Sequence, residues 1–156
     1  MTDVRRAVAA DAEVLARLLW DFNTEFETEV DDVDVLAVRF ARLLGLDDIV
    51  AVLAEDGGTA VGFALVSLRP AIWFDGPVSQ LEELYVVPAL RDHGIGTLVL
   101  DLCRRLVREK GSPEMHINVD EVDHDTRRFY ERHGFVNIED GVDYRMLCYI
   151  GPTTAD

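Results

Sequence analysis

Residues 84–96 read LYVVPALRDHGIG, and the fold turns on how they are read. The run 84–87 is strand-like, and Pro88 stops it. Gly94 and Gly96 then open a helical pattern, IGTLVLDLCRRLVREKG (95–111), whose Ile95, Leu98, Val99, Leu102, Leu106 and Val107 form one apolar stripe. A helix start exposes four backbone N–H groups and about half a positive charge. Glycines beside it let an anionic ligand approach those amides, but G-x-G by itself is a weak signal, and the stretch reads as a plain strand-to-helix turn or as a phosphate cradle. Arg91 is the natural side-chain ion partner for such a phosphate. The spacing lacks the third glycine of a dinucleotide fingerprint and the Gly-Lys-Ser/Thr of a nucleotide-binding loop.

SQLEELYVV (79–87) is the strand that feeds this turn. Upstream, DVRRAV (3–8) is a short strand. DAEVLARLLWDFNTEF (11–26) is an amphipathic helix with Val14, Leu15, Leu18, Leu19, Phe22 and Phe26 on one stripe. ETEVDDVDV (27–35) is an acidic connection, and VLAVRFARLLGL (35–46) is a second helix that Gly45 stops. IVAVLAED (49–56), the glycine pair 57–58 and AVGFALVSL (60–68) spell a hairpin, followed by an irregular loop, RPAIWFDGP (69–77). Downstream, EMHINVD (114–120) is a strand. DHDTRRFYERHG (123–134) is a short helix capped by Asp123 and Gly134, and FVNIEDG with DYRMLCYI supply two last strands. This order predicts an α+β fold with a mixed sheet. We expect a single domain over 1–150 and a loose tail at 151–156.

A chain of 156 residues buries a full core as one domain. Its formal net charge is −15, and Lys110 is its only lysine. Such a surface repels phosphate backbones and anionic lipids, which argues against nucleic-acid and membrane partners. It attracts cationic substrates. No apolar run nears the roughly 18 residues of a membrane span, and the opening residues lack a signal-peptide core. Cys103 and Cys148 have no metal-type spacing, and both read as buried, reduced thiols of a cytoplasmic protein. No His/Cys/acid cluster suggests a metal.

The stretch LEELYVVPALRDHGIGTLVLDLCRRL (81–106) resembles the coenzyme A motif of the GNAT N-acetyltransferase superfamily. That signature, Gln/Arg-x-x-Gly-x-Gly/Ala after a Leu-Tyr-Val-x-Pro strand, reads here Arg91-Asp92-His93-Gly94-Ile95-Gly96. About thirty residues on, DTRRFYERHGF (125–135) matches the second motif, Phe/Leu-Tyr-x-x-x-Gly-Phe. The resemblance spans essentially the whole chain. It implies a mixed sheet of six to seven strands with about four helices, splayed between its fourth and fifth strands, with acetyl-CoA in the gap. It further implies that the amides of Asp92, His93, Gly94, Ile95, Gly96 and Thr97 hold the pyrophosphate. The backbone of Leu84, Tyr85 and Val86 would bond the pantetheine arm. The family commonly has a basic or small residue where Asp92 stands, and often Asn at the cofactor-binding position of Asp123.

Acetyl transfer to an amine needs a neutral amine and a proton for the departing thiolate. Tyr130 matches the tyrosine that protonates the CoA sulfur in this family. Glu82 and Glu83 lie side by side on the strand that reaches the site, so alternation gives one to each surface. Either carboxylate accepts the amine proton through water; His116 and His124 are weaker candidates. His133, beside the C-cap, reads as a helix-end charge. In this family the first two helices and their connection often wall the acceptor site. Here they carry Glu25 and five further acids between positions 27 and 34, and Phe22, Phe26 and Trp73 add apolar surface. The expected activity is N-acetylation of a small cationic amine by direct attack, with acetyl-CoA as co-substrate and no metal. The alternative is a non-catalytic, acetyl-CoA-binding regulatory module. The sequence leaves a homodimer open.

Overall fold

The computed structural model describes residues 1–154; Ala155 and Asp156, the end of the predicted tail, lie outside the described residues. The chain forms two compact units, Met1–Ile117 and the part from Asn118 on. The first runs β1 (Thr2–Arg6), α1 (Ala12–Glu25), α2 (Val33–Leu44), β2 (Ile49–Asp56), β3 (Thr59–Arg69), β4 (Val78–Val86), α3 (Ile95–Glu109) and β5 (Met115–Ile117). The second holds α4 (His124–Arg132). The sheet order is β1-β2-β3-β4-β5, antiparallel throughout except for the parallel β4–β5 pair. The α+β expectation, with four helices, is met.

β2 and β3 read as near-continuous apolar runs because both their faces are covered. Ala51, Leu53, Phe63 and Leu65 join Leu15, Leu18, Leu36 and Phe40 in one core under α1 and α2. The alternate residues Val50, Val52, Ala64 and Val66, all fully buried, face the other side, where α3 packs with Val99, Leu100 and Cys103. The turn between the strands is a two-residue loop with Gly57 and Gly58 at φ 58° and 83°. Positive φ at both positions matches the twist of a tight hairpin, and glycine adopts it without strain.

Three expectations need correction. FVNIEDG and DYRMLCYI form no strands, so the described sheet has five, not six to seven. Strand propensity supplies an extended chain, but a strand needs a ladder. Between these segments the Met146 amide donates to the Asn137 carbonyl at 2.7 Å, which is not a ladder. Cys148 is therefore exposed rather than buried, while Cys103 is buried and its thiol is pushed up to about 12 by desolvation. On α3, Leu98 is 49% exposed and Leu100 takes a buried position instead, while Cys103 is buried as expected. Among the described residues no helix is long and apolar enough to cross a membrane.

The entry to α1 is fixed by a buried carboxylate. Asp11 accepts from Arg5 Nη1 and Nη2 at 2.8 and 2.9 Å and from the Val8 amide at 2.8 Å, while Arg5 Nε donates to Glu55 at 3.0 Å. The Arg5 hydrogen bonds hold the Asp11 carboxyl below its usual range. We predict that Asp11→Ala costs about 1–3 kcal/mol of stability at pH 7, measured by urea denaturation. A depressed native pKa contributes stability above the unfolded value near pH 4. That contribution is lost as pH falls through the native value, so the difference from wild type should shrink in acid.

Candidate active site

β4 shares both its edges only at its start. It pairs with β5 through Ser79, Gln80 and Leu81, and β5 then ends at Ile117. From Glu83 to Val86 it pairs with β3 alone. The Val87 amide donates to the Val61 carbonyl at 2.9 Å. With a period of two, the peptide groups of Tyr85 and Glu83 therefore face β3, and those of Leu84 and Val86 face the open edge. Of the three residues expected to present backbone groups, Leu84 and Val86 do so.

The open edge leads into the glycine turn. Asp92 has φ 62° and Gly94 has φ 81°, both left-handed. Asp is among the few residues other than glycine that tolerate this region, which accounts for its place in the loop. His93 Nδ1 donates to the Arg91 carbonyl at 2.7 Å and tightens the curl. Gly94 is the N-cap of α3, so no side chain caps it. The first intrahelical bond runs from the Leu98 amide to the Gly94 carbonyl at 3.1 Å. The amides of Ile95 and Gly96 thus precede any carbonyl of their own helix, the arrangement that suits an anion such as a pyrophosphate.

The two glutamates do not split between faces as alternation predicts. The β3–β4 register slips between Leu65 and Val66, where Glu82 is the extra residue of a β-bulge. Glu83 lies opposite Leu65, and Glu82 accepts from Ser67 Oγ at 2.5 Å. Leu65 and Ser67 share a face, so both carboxylates lie on the side that α1 and α2 cover elsewhere. Burial, and then the charge of Glu82, push half-buried Glu83 up to about 7. Ser67 was not among the sequence candidates. Its signal was parity: it continues the inward set Phe63, Leu65 on β3. His116, a weaker candidate base, accepts from Arg69 at Nδ1 and meets Glu114 at Nε2.

Three of the acceptor candidates gather at the end of α1. Phe22 stacks on Tyr85 with centroids 4.9 Å apart, and Phe26 meets Phe22 edge-on at 5.4 Å. Glu25 binds Arg91 through both oxygens, at 2.6 and 2.7 Å. Trp73 is not brought to them. It stands 85% exposed in the loop before β4, at the opposite end of that strand.

In the second unit, Asp123 caps α4 by accepting from the Thr126 amide at 3.1 Å. At the other end, the Phe135 amide donates to the Tyr130 carbonyl and the Gly134 amide to that of Glu131, both at 3.1 Å. Gly134, at φ 85°, takes the left-handed position of this ending. Phe135 packs on the Tyr130 ring at 5.9 Å, and Phe129 packs on it at 5.2 Å. Tyr130 is buried. His133 is itself the C-cap, and its Nδ1 donates to the Phe129 carbonyl at 2.7 Å.

Residues 13–135 match the model of the Acetyltransferase (GNAT) family. The chain is 27% identical over 111 residues to an aminoglycoside N(6′)-acetyltransferase type 1 of Salmonella typhimurium, covering 69% of this chain and 76% of that one. An acetyltransferase candidate from Arthrobacter sp. FB24 superposes with a TM-score of 0.89 at 43% identity, covering 96% of this chain and 95% of that one. AAC(6′)-Iy, solved with the bisubstrate analogue CoA-S-monomethyl-acetylneamine, superposes with a TM-score of 0.75 at 24% identity, covering 95% of this chain and 99% of that one. The last likeness is one of fold.

The bulge can be tested without substrate. A carbon-13 carboxyl titration of Glu83 should have its midpoint near the value of about 7. Glu82→Gln should lower it only in part, because burial, the larger cause, remains. A wild-type midpoint at the ordinary glutamate value near 4.3 would contradict the half-buried placement.

Proposed function

Because the chain belongs to the GNAT acetyltransferase family, it is an acetyl-CoA-dependent N-acetyltransferase, and we propose that its acceptor is a small cationic amine of the amino-sugar or polyamine class. One observation carries the cofactor side: the open edge of β4 ends at a helix whose N-cap is a glycine. An extended amide chain pairs with such an edge as an added strand would, and a pyrophosphate suits the helix start. Leu84, Val86 and the amides of 92–97 are the groups we assign to acetyl-CoA. The family match crosses both units, which supports reading 1–150 as one catalytic domain.

The acceptor side rests on charge. Glu25 and Asp31 are already paired, with Arg91 and Arg39. Glu27, Glu29, Asp32 and Asp34 remain exposed. They give a cationic amine a local attraction that salt screens over about 8 Å. The Salmonella relative's name supports the amino-sugar class.

In the proposed chemistry, Glu83 takes the proton of the ammonium, directly or through water, and frees the nitrogen lone pair. The nitrogen attacks the thioester carbonyl, a C–N bond forms and the C–S bond breaks. The Tyr130 hydroxyl gives its proton to the departing thiolate, and the excess proton left on the acetylated nitrogen passes through water to the tyrosinate, leaving a neutral amide, a free thiol and the hydroxyl restored. A base at about 7 is half ionised at neutral pH, which suits this duty.

Acetyl-CoA should raise the melting temperature by mass action. A panel of amines followed by CoA release should favour cationic acceptors, with KM rising as salt rises. Tyr130→Phe should lower turnover roughly 10²–10⁴-fold while the acetyl-CoA-dependent melting shift persists. The kcat/KM of wild type should climb as pH passes about 7, and Glu83→Gln should remove that limb. A wild-type protein that binds acetyl-CoA yet acetylates nothing would favour the regulatory alternative. Wild-type turnover in Tyr130→Phe would take that residue out of its role.

A further inference from the structure

Arg91 opens the glycine motif, and its sequence position suggests a phosphate partner. Its side chain is engaged elsewhere. Nε donates to the Val86 carbonyl at 3.0 Å, Nη1 to Glu25 Oε1 at 2.6 Å and Nη2 to Glu25 Oε2 at 2.7 Å. The guanidinium also lies against two rings, 5.6 Å from the centroid of Tyr85 and 5.9 Å from that of Phe26. One side chain thereby binds the last residue of α1, the residue after it and the last residue of β4.

We infer that Glu25 and Arg91 form a latch that positions the end of α1 on the open edge of β4, and that Arg91 is a positioning residue rather than a phosphate ligand. The inference rests on the proposed reading of that edge as the acetyl-CoA side and of α1 as the acceptor side. Electrostatics supports it. A phosphate that drew Arg91 away would leave Glu25 unpaired beside further negative charge. With the pair intact, both charges are cancelled where the cofactor enters. Geometry supports it too. An exposed ion pair alone is worth little, but a planar guanidinium that binds two oxygens and packs on two rings has one favoured placement, which lysine cannot copy. The chain turns away just past the latch: Glu27 sits at φ 53°, and the Thr28 amide returns to the Asn23 carbonyl at 2.8 Å. The latch therefore fixes where the acidic connection begins.

The test uses Glu25→Gln, Arg91→Met, Arg91→Lys and the Glu25→Gln/Arg91→Met double variant. Melting without ligand reads the pair whether or not acetyl transfer is the activity. Each single change should lower Tm by about 2–4 °C, and the double should fall no further than the worse single. In turnover, every variant should raise the acceptor KM about 3–10-fold, with acetyl-CoA KM within about 3-fold of wild type and kcat little changed. Arg91→Lys should behave like Arg91→Met. The latch is overturned if Arg91→Met raises acetyl-CoA KM tenfold or more while Glu25→Gln leaves it unchanged or tighter. It is likewise overturned if the Tm losses add, or if both KM values rise equally, the mark of a general loosening.

Discussion

A β-strand has two edges, and every N–H and C=O along them must find a partner or water. β4 meets that demand on one side with β3 from end to end apart from the bulge at Glu82, but on the other only as far as Leu81. The brevity of β5, three residues, is what leaves Leu84 and Val86 with peptide groups turned away from the sheet. Their carbonyls and amides are strong, fixed and already aligned, so a ligand that supplies complementary amides meets little ordering cost from the protein. Arg91 takes one of these groups, the Val86 carbonyl, and so ties the wall made by α1 to the same exposed backbone.

The bulge at Glu82 is the second departure from regular pairing, and it acts on side chains rather than on backbone. An even ladder would have sent one glutamate to each face. One extra residue sends both to the same face, where Glu83 feels the charge of Glu82 and Ser67 holds Glu82. A strand with a plain register could not place two adjacent carboxylates in this way.

The elements were largely written in local patterns. The apolar stripes gave α1, α2 and α3, the Gly57-Gly58 pair gave the hairpin, and Asp123 and Gly134 gave the ends of α4. What escaped were features that depend on a partner distant in sequence. Leu98 and Leu100 lie on the same helix, and which one is buried depends on what packs there. DYRMLCYI has the composition of a strand, yet composition does not supply a neighbour to pair with. The bulge was invisible because Leu65 and Glu83 are eighteen residues apart and nothing in either segment marks the slip. Glu25 and Arg91 were both singled out, for opposite partners, and no spacing rule connects residues 66 positions apart.

The ending of α4 has a consequence for how such proteins are recognised. Gly134 is required by a left-handed turn, and Phe135 by the ring it packs on; neither requirement mentions catalysis. The contacts of Tyr130 with Phe129 and Phe135 are made by its ring. A descendant that had exchanged the Tyr130 hydroxyl for a hydrogen would keep the helix, the turn and nearly all of the motif. Similarity across 125–135 therefore records the inheritance of a helix terminus, and it is silent on the single oxygen atom that the proposed proton donation needs.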